Sequence, residues 1–148
     1  MTMINPYLMF DGNCEEAMNF YADALGAEAQ IMKVGDSPAA GDFDEASKKR
    51  VMHSALMKDG ESILLASDVM MEYADGVKYT IGNAMTVCIH CKSEEEIRTF
   101  FANLSKGGEV GSEVKTEFWG DMFGMVTDKY GFDWMLNFSK QDCLEEKK

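Results

Sequence analysis

The chain is poor in the residues that usually announce chemistry. Its 148 residues include two histidines and two prolines, and 14 Lys and Arg face 26 Asp and Glu. A net charge of −12 repels phosphate backbones and anionic leaflets, which argues against nucleic acid and membrane as partners. No apolar run approaches the length of a membrane span, and residues 1–10 lack the basic start and apolar stretch of an export signal. A cytoplasmic protein is the expectation. No G-x-G-x-x-G or G-x-x-x-x-G-K-[ST] run occurs, so nothing supports a nucleotide cradle, and no cofactor is expected.

Cysteine is also sparse. Cys14, Cys88, Cys91 and Cys143 read as free thiols in a chain without an export signal. Cys88 and Cys91 have C-x-x-C spacing, but residues 85–91 read as a buried strand, on which positions three apart point to opposite faces. A redox pair normally sits at a helix start, and no second Cys/His pair completes a zinc site. The cysteines are therefore taken as structural.

What is present suits a globular domain. Apolar residues make up 46% and charged residues 27%, and a chain of this length buries roughly 70% of its extended surface on folding. Thirteen methionines suit irregular gaps in such a core.

The order of elements repeats. Residues 6–10 form a short apolar and aromatic strand, broken by Asp11 and Gly12. Asn13 offers an N-cap oxygen with Glu16 as its capping-box partner. Ala17, Phe20, Tyr21, Ala24 and Leu25 follow at helical spacing until Gly26. Residues 28–34 suit a second strand. The polar stretch 35–49 reads as a mobile loop, and 51–57 and 61–67 flank an Asp59-Gly60 hairpin turn. The second half follows suit: a strand at 84–91, then a helix capped by Ser93 and Glu96. Ile97, Phe100, Phe101 and Leu104 are its apolar stripe, ended by Gly107 and Gly108. Strands at 109–116, 118–127 and 133–138 complete it. The expectation is one α+β domain over 1–148 with two tandem βαβββ modules. The repeats are 5–67 and 84–138, the connector 68–83 and the C-terminal tail 139–148.

Specific residues resemble a known family. Phe20-Tyr21 followed by Leu25-Gly26 is similar to the first-helix pattern of the vicinal oxygen chelate superfamily, which includes glyoxalase, bleomycin resistance proteins and dioxygenases. Phe118-Trp119-Gly120-Asp121, then Asp128, Gly131 and Trp134, resembles the closing motif of its PhnB-like branch, as does His53 within Val51-Met52-His53-Ser54-Ala55-Leu56. The resemblance covers residues 5–138. It implies curled mixed sheets, each half of a cup, in a homodimer with a ligand cavity. In the family's enzymes that cavity holds a divalent metal on His, Gln or Glu.

Carried over residue by residue, those ligand positions fall on Pro6, on Met85 or Thr86, and on Leu64 and Met135, counting on from hairpin Gly60 and Gly131. A one-residue slip gives Tyr7, Leu65 and Leu136. None offers the nitrogen or carboxylate oxygen that a hard or borderline divalent cation requires, so no superfamily metal site is expected. Lys129, Phe132 and Asp133 stand where relatives commonly have Pro and His-Arg, so any contact by that His or Arg is not carried over.

What remains is a small set of groups. His53 is the one group with a charge that switches near neutral pH and a plausible place as acid or base, or else a satisfied structural histidine. His90 is placed in the core of its strand. Trp119 and Asp121 line a cavity or, equally, anchor a bend at Gly120. Tyr7, Met9, Phe118 and Phe123 supply an apolar lining or core. The leading expectation is a dimeric cup binding a small, largely apolar organic molecule, with Tyr7, Met9, His53, Trp119, Asp121 and Phe123 as its contacts. The alternatives are a glyoxalase-type lyase or isomerase using His53 or Asp121, and dimerisation in the service of a partner. Some relatives carry a demethylubiquinone methyltransferase label. It is discounted because a methyl-donor nucleotide usually sits on a glycine-rich turn of a doubly wound sheet.

Overall fold

The structure is a computed structural model in which residues 2–70 and 78–140 are described. Cys143, most of the expected tail and the middle of the expected connector lie outside the described residues. Contacts divide the chain into two compact units, Met1–Thr80 and Ile81–Lys148.

Unit 1 runs β1 (Tyr7–Phe10), α1 (Cys14–Leu25), β2 (Glu28–Lys33), two 3-10 turns (Val34–Asp36 and Ala40–Asp42), α2 (Glu45–Lys48), β3 (Val51–Lys58) and β4 (Glu61–Asp68). Unit 2 runs β5 (Thr86–His90), α3 (Glu94–Leu104), β6 (Glu109–Thr116), β7 (Met122–Thr127) and β8 (Asp133–Phe138). The sheets have the same plan. Their strand orders are β1-β4-β3-β2 and β5-β8-β7-β6, with the outer β1–β4 and β5–β8 pairs parallel and the rest antiparallel. The fold is α+β with two similar modules.

In each unit one helix covers one face. Helix α1 packs on β2, β3 and β4 and buries Ala17, Met18, Tyr21 and Leu25. Leu8, Phe10, Ser54, Leu56, Leu64 and Ala66 alternate inward from the strands. Helix α3 packs on β6, β7 and β8 with Ile97, Phe100, Phe101 and Leu104, over Met122, Val126, Trp134 and Leu136. Fully burying each large apolar side chain is worth about 1.5–3 kcal/mol. Gly124 belongs to this layer: a Cβ there would come within 2.8 Å of Val114 and 3.0 Å of Phe101.

The helix-to-strand junctions show the duplication at single-residue level. Gly26 (φ 62°) and Gly107 (φ 75°) each take the left-handed conformation before a Glu opens the next strand. Between them unit 1 has Ala27 and unit 2 has Gly108. A Cβ at Gly108 would collide with the Thr127 carbonyl, so only glycine fits there.

Four expectations need correction. The 35–49 stretch is structured: Asp44 caps α2 by accepting from the Ser47 N–H at 2.7 Å. Strand β7 begins at Met122, because Glu117 to Asp121 form a turn. There the Gly120 N–H donates to the Glu117 carbonyl at 3.0 Å, and Gly120 has φ 96°. Strand β5 is not a buried strand. It is the edge of its sheet, and Cys88 and His90 are exposed on it.

The fourth concerns Asn13, whose side chain caps nothing. The buried Asp68 carboxylate at the end of β4 does that work. Its Oδ1 accepts from the Gly12 N–H at 2.8 Å and the Cys14 N–H at 3.0 Å, and its Oδ2 from the Val51 N–H at 2.8 Å. In unit 2 the local signal holds: Ser93 Oγ accepts from the Glu96 N–H at 3.0 Å.

Candidate functional site

Alternation leaves each sheet a second face, opposite its helix. In unit 1 strand pairing assembles that face row by row. Tyr7 is registered with Leu65 and Leu65 with Ala55; Met9 is registered with Ser67, and His53 with Met32. Tyr7, Met32 and Ile63 are 44%, 41% and 37% exposed, and His53 is exposed as well. The Tyr7 and His53 rings lie 6.1 Å apart, tilted at 41°. The Ser67 hydroxyl points to the Met9 sulfur at 3.7 Å. At one end the Tyr79 hydroxyl donates to the Met9 carbonyl at 2.6 Å, and burial, reinforced by Asp11 and Asp68, pushes its pKa up. The result is a face of apolar and aromatic residues carrying one imidazole, with Gln30 and Glu28 exposed along its β2 side. His53 therefore lies on the open face, not under the helix.

The register also decides which residue takes the family's late-strand ligand position. Leu64 turns inward under α1 and is 2% exposed, so Leu65 faces outward beside Tyr7. Neither Leu65 nor the Tyr7 phenol suits a divalent metal at neutral pH.

The corresponding face of unit 2 carries rows of Thr86 with Asp133, Cys88 with Met135 and Met125, and His90 with Asn137 and Phe123. The Thr127 hydroxyl donates to Asp133 Oδ1 at 2.6 Å, which engages that carboxylate. Thr86 and Met135 at the ligand positions fit a hard or borderline divalent cation no better. Among the described residues no group of three or more His, Cys, Asp and Glu side chains is placed to share a metal ion.

The expected contacts do not all share one surface. Tyr7, Met9 and His53 are together. Phe123 lies on unit 2's open face. Trp119 and Asp121 sit on the β6–β7 hairpin turn, where the Asp121 carbonyl accepts from the Glu117 N–H at 2.8 Å. Phe118 (95% exposed) and Trp119 (52%) meet edge to face at its tip, with ring centres 4.8 Å apart.

Two further features bear on chemistry. The Asp11-Gly12-Asn13 turn precedes a helix as anion cradles do, but the Asp68 carboxylate already takes its N–H groups. Beside it lies a cleft of about 290 Å3 lined by Gly12, Asp44, Ala46, Ser47, Lys49 and Arg50. Arg50 is held there, donating to the Val69 carbonyl at 2.8 Å and pairing with Asp11 at 3.0 Å.

The thiols differ by depth. Burial pushes Cys14 up to about 12, with the Ser54 hydrogen bond opposing and Asp68 adding; burial, with Glu96 adding, does the same to Cys91, also to about 12. Cys88 is raised by burial too, yet it is exposed and its Sγ lies 3.8 Å from His90 Nε2. The C-x-x-C spacing does not mark this pair. The signal was C-x-H, two residues apart on a strand and hence on one face.

Two βαβββ modules, each a helix on a four-stranded mixed sheet, define the glyoxalase/bleomycin-resistance fold. Lactoylglutathione lyase from Agrobacterium tumefaciens shares it at 15% identity and TM-score 0.56, over 95% of both chains. The 3-demethylubiquinone-9 3-methyltransferase family model matches residues 2–137, and the chain belongs to that family, the PhnB-like branch of the fold. It is similar to PA1353 from Pseudomonas aeruginosa, whose crystal structure matches with TM-score 0.76 and 33% identity over 94% of this chain and 98% of that one. It is also similar to a putative 3-demethylubiquinone-9 3-methyltransferase, PhnB protein, from Bacillus cereus (TM-score 0.71, 28% identity, 93% and 100% covered). Protein YjdN of Escherichia coli is 32% identical over 141 residues, 93% of this chain and 96% of that protein.

Proposed function

We propose that this PhnB-like protein binds a small, largely apolar organic molecule against the open sheet face of unit 1, without the superfamily's metal. One observation carries the reading: Tyr7, Met9, Met32 and Leu65 share with the exposed imidazole of His53 a sheet face that their own helix leaves bare, with Met32 paired to His53 and the Tyr7 ring beside it. Apolar walls with one or two polar groups are what small-molecule sites are built from. Phe123, with Trp119 and Asp121 on the turn that precedes its strand, is a second proposed group of ligand contacts, on unit 2. A homodimer in the cytoplasm is part of the proposal, and light scattering on the purified protein tests the dimer.

The methyl transfer named by the family description finds no support in these residues. Both sheets are mixed, not doubly wound, and the one turn resembling a cradle is filled by Asp68. The metal-free part is tested by equilibrium dialysis against Zn, Ni, Mn and Fe. Stoichiometric uptake abolished by His53→Ala overturns it.

The exposed position of His53 favours one rival, a lyase or isomerase in which the imidazole moves a proton of the bound molecule. Under that rival His53→Ala or Asp121→Ala abolishes a turnover and leaves circular dichroism unchanged. A parent activity that survives both changes removes it.

A further inference from the structure

The open face of unit 2 differs from that of unit 1 in carrying sulfur. Cys88 and His90 are alternate residues of β5 and project from the same side, with Sγ and Nε2 3.8 Å apart. Met135 is registered directly beside Cys88 on β8, and Met125 beside Met135 on β7. We propose that Cys88, His90 and Met135 form a binding site for a soft monovalent cation, Cu(I), or its redox-inert analogue Ag(I).

The donor spacing is that of ligands sharing one ion. Bonds of roughly 2.3 Å to sulfur and 2.0 Å to nitrogen at a trigonal angle place the two donors about 3.7 Å apart. The observed 3.8 Å needs no rearrangement of the strand. The thioether decides the metal. Met sulfur is a poor ligand for hard and borderline divalent ions and a good one for Cu(I). Cys88 binds the ion as its thiolate, so uptake releases the thiol proton. The site uses residues of β5 and β8 only, so it stands apart from the organic-ligand reading of unit 1.

The test is anaerobic titration of the full chain with Cu(I) in competition with bicinchoninate, repeated with Ag(I). The expected result is one equivalent retained per chain, with a thiolate-to-metal absorption band. Cys88→Ser abolishes retention, and Met135→Leu and His90→Gln each weaken it at least about ten-fold. Cys143→Ser leaves it unchanged, and circular dichroism of the variants matches the parent. The proposal is overturned if the chelator strips the metal completely, if Cys88→Ser retains it, if Met135→Leu or His90→Gln binds like the parent, or if Cys143→Ser loses it.

Discussion

In unit 2 the start of α3 is held from within: Ser93 caps the Glu96 N–H, and Glu96 Oε1 accepts from the Lys92 N–H at 3.2 Å. In unit 1 the start of α1 is held from the end of the neighbouring strand β4, by a carboxylate 54 residues away from Cys14 in sequence. Asn13-x-x-Glu16 and Ser93-x-x-Glu96 look alike as sequence, yet only the second caps its helix with its own side chains. Asp68 bonds two helix-start N–H groups and the first residue of β3 at once, so it ties α1, β3 and β4 together, where Ser93 merely finishes a helix. Two copies of one module have thus placed the same backbone requirement in local and in tertiary structure.

Substitutions sharpen that contrast. Asp68→Ala strands three N–H donors, Cys14 and Val51 among them in buried surroundings, and is expected to cost about 3 kcal/mol or more by urea denaturation. Ser93→Ala is expected to cost about 1 kcal/mol, and Asn13→Ala only a few tenths, since its side chain caps nothing. Equal losses at Ser93 and Asn13 would break the comparison.

The titration of Cys14 changes stability only in alkali. Its folded pKa, about 12, lies above its ordinary value of 9.0, so the folded state holds the proton more tightly. Its stabilising contribution is full below about pH 9 and is lost as pH rises toward 12. Cys14→Ser is expected to flatten the alkaline decline of the urea midpoint by up to one proton. An identical decline in parent and variant contradicts it.

Most of the fold was legible because its signals are local: the Asp59-Gly60 turn, the helical stripes and the repeated order each lie within a few residues. What escaped depended on register or on distant partners. Residues 85–91 look buried by composition, but an edge strand with no helix over its outer face leaves Cys88 and His90 exposed. The orientation of His53 followed from its pairing with Met32, and that of Leu64 and Leu65 from the pairing of Leu64 with Leu56 and of Leu65 with Ala55 and Tyr7. Asp68 carries no sequence mark of a cap, because its partners, Gly12, Cys14 and Val51, are brought to it by the fold.

The central claim is that the bare face around His53 is a binding surface. Amide shift mapping of the isotopically labelled protein against a panel of small apolar organic molecules tests it most directly. Binders are predicted to shift Tyr7, Met9, His53 and Leu65 together, and Leu65→Glu is predicted to abolish those shifts while the rest of the spectrum stays in place. Binders whose shifts avoid this face, or a panel that leaves these four amides unmoved, would contradict it.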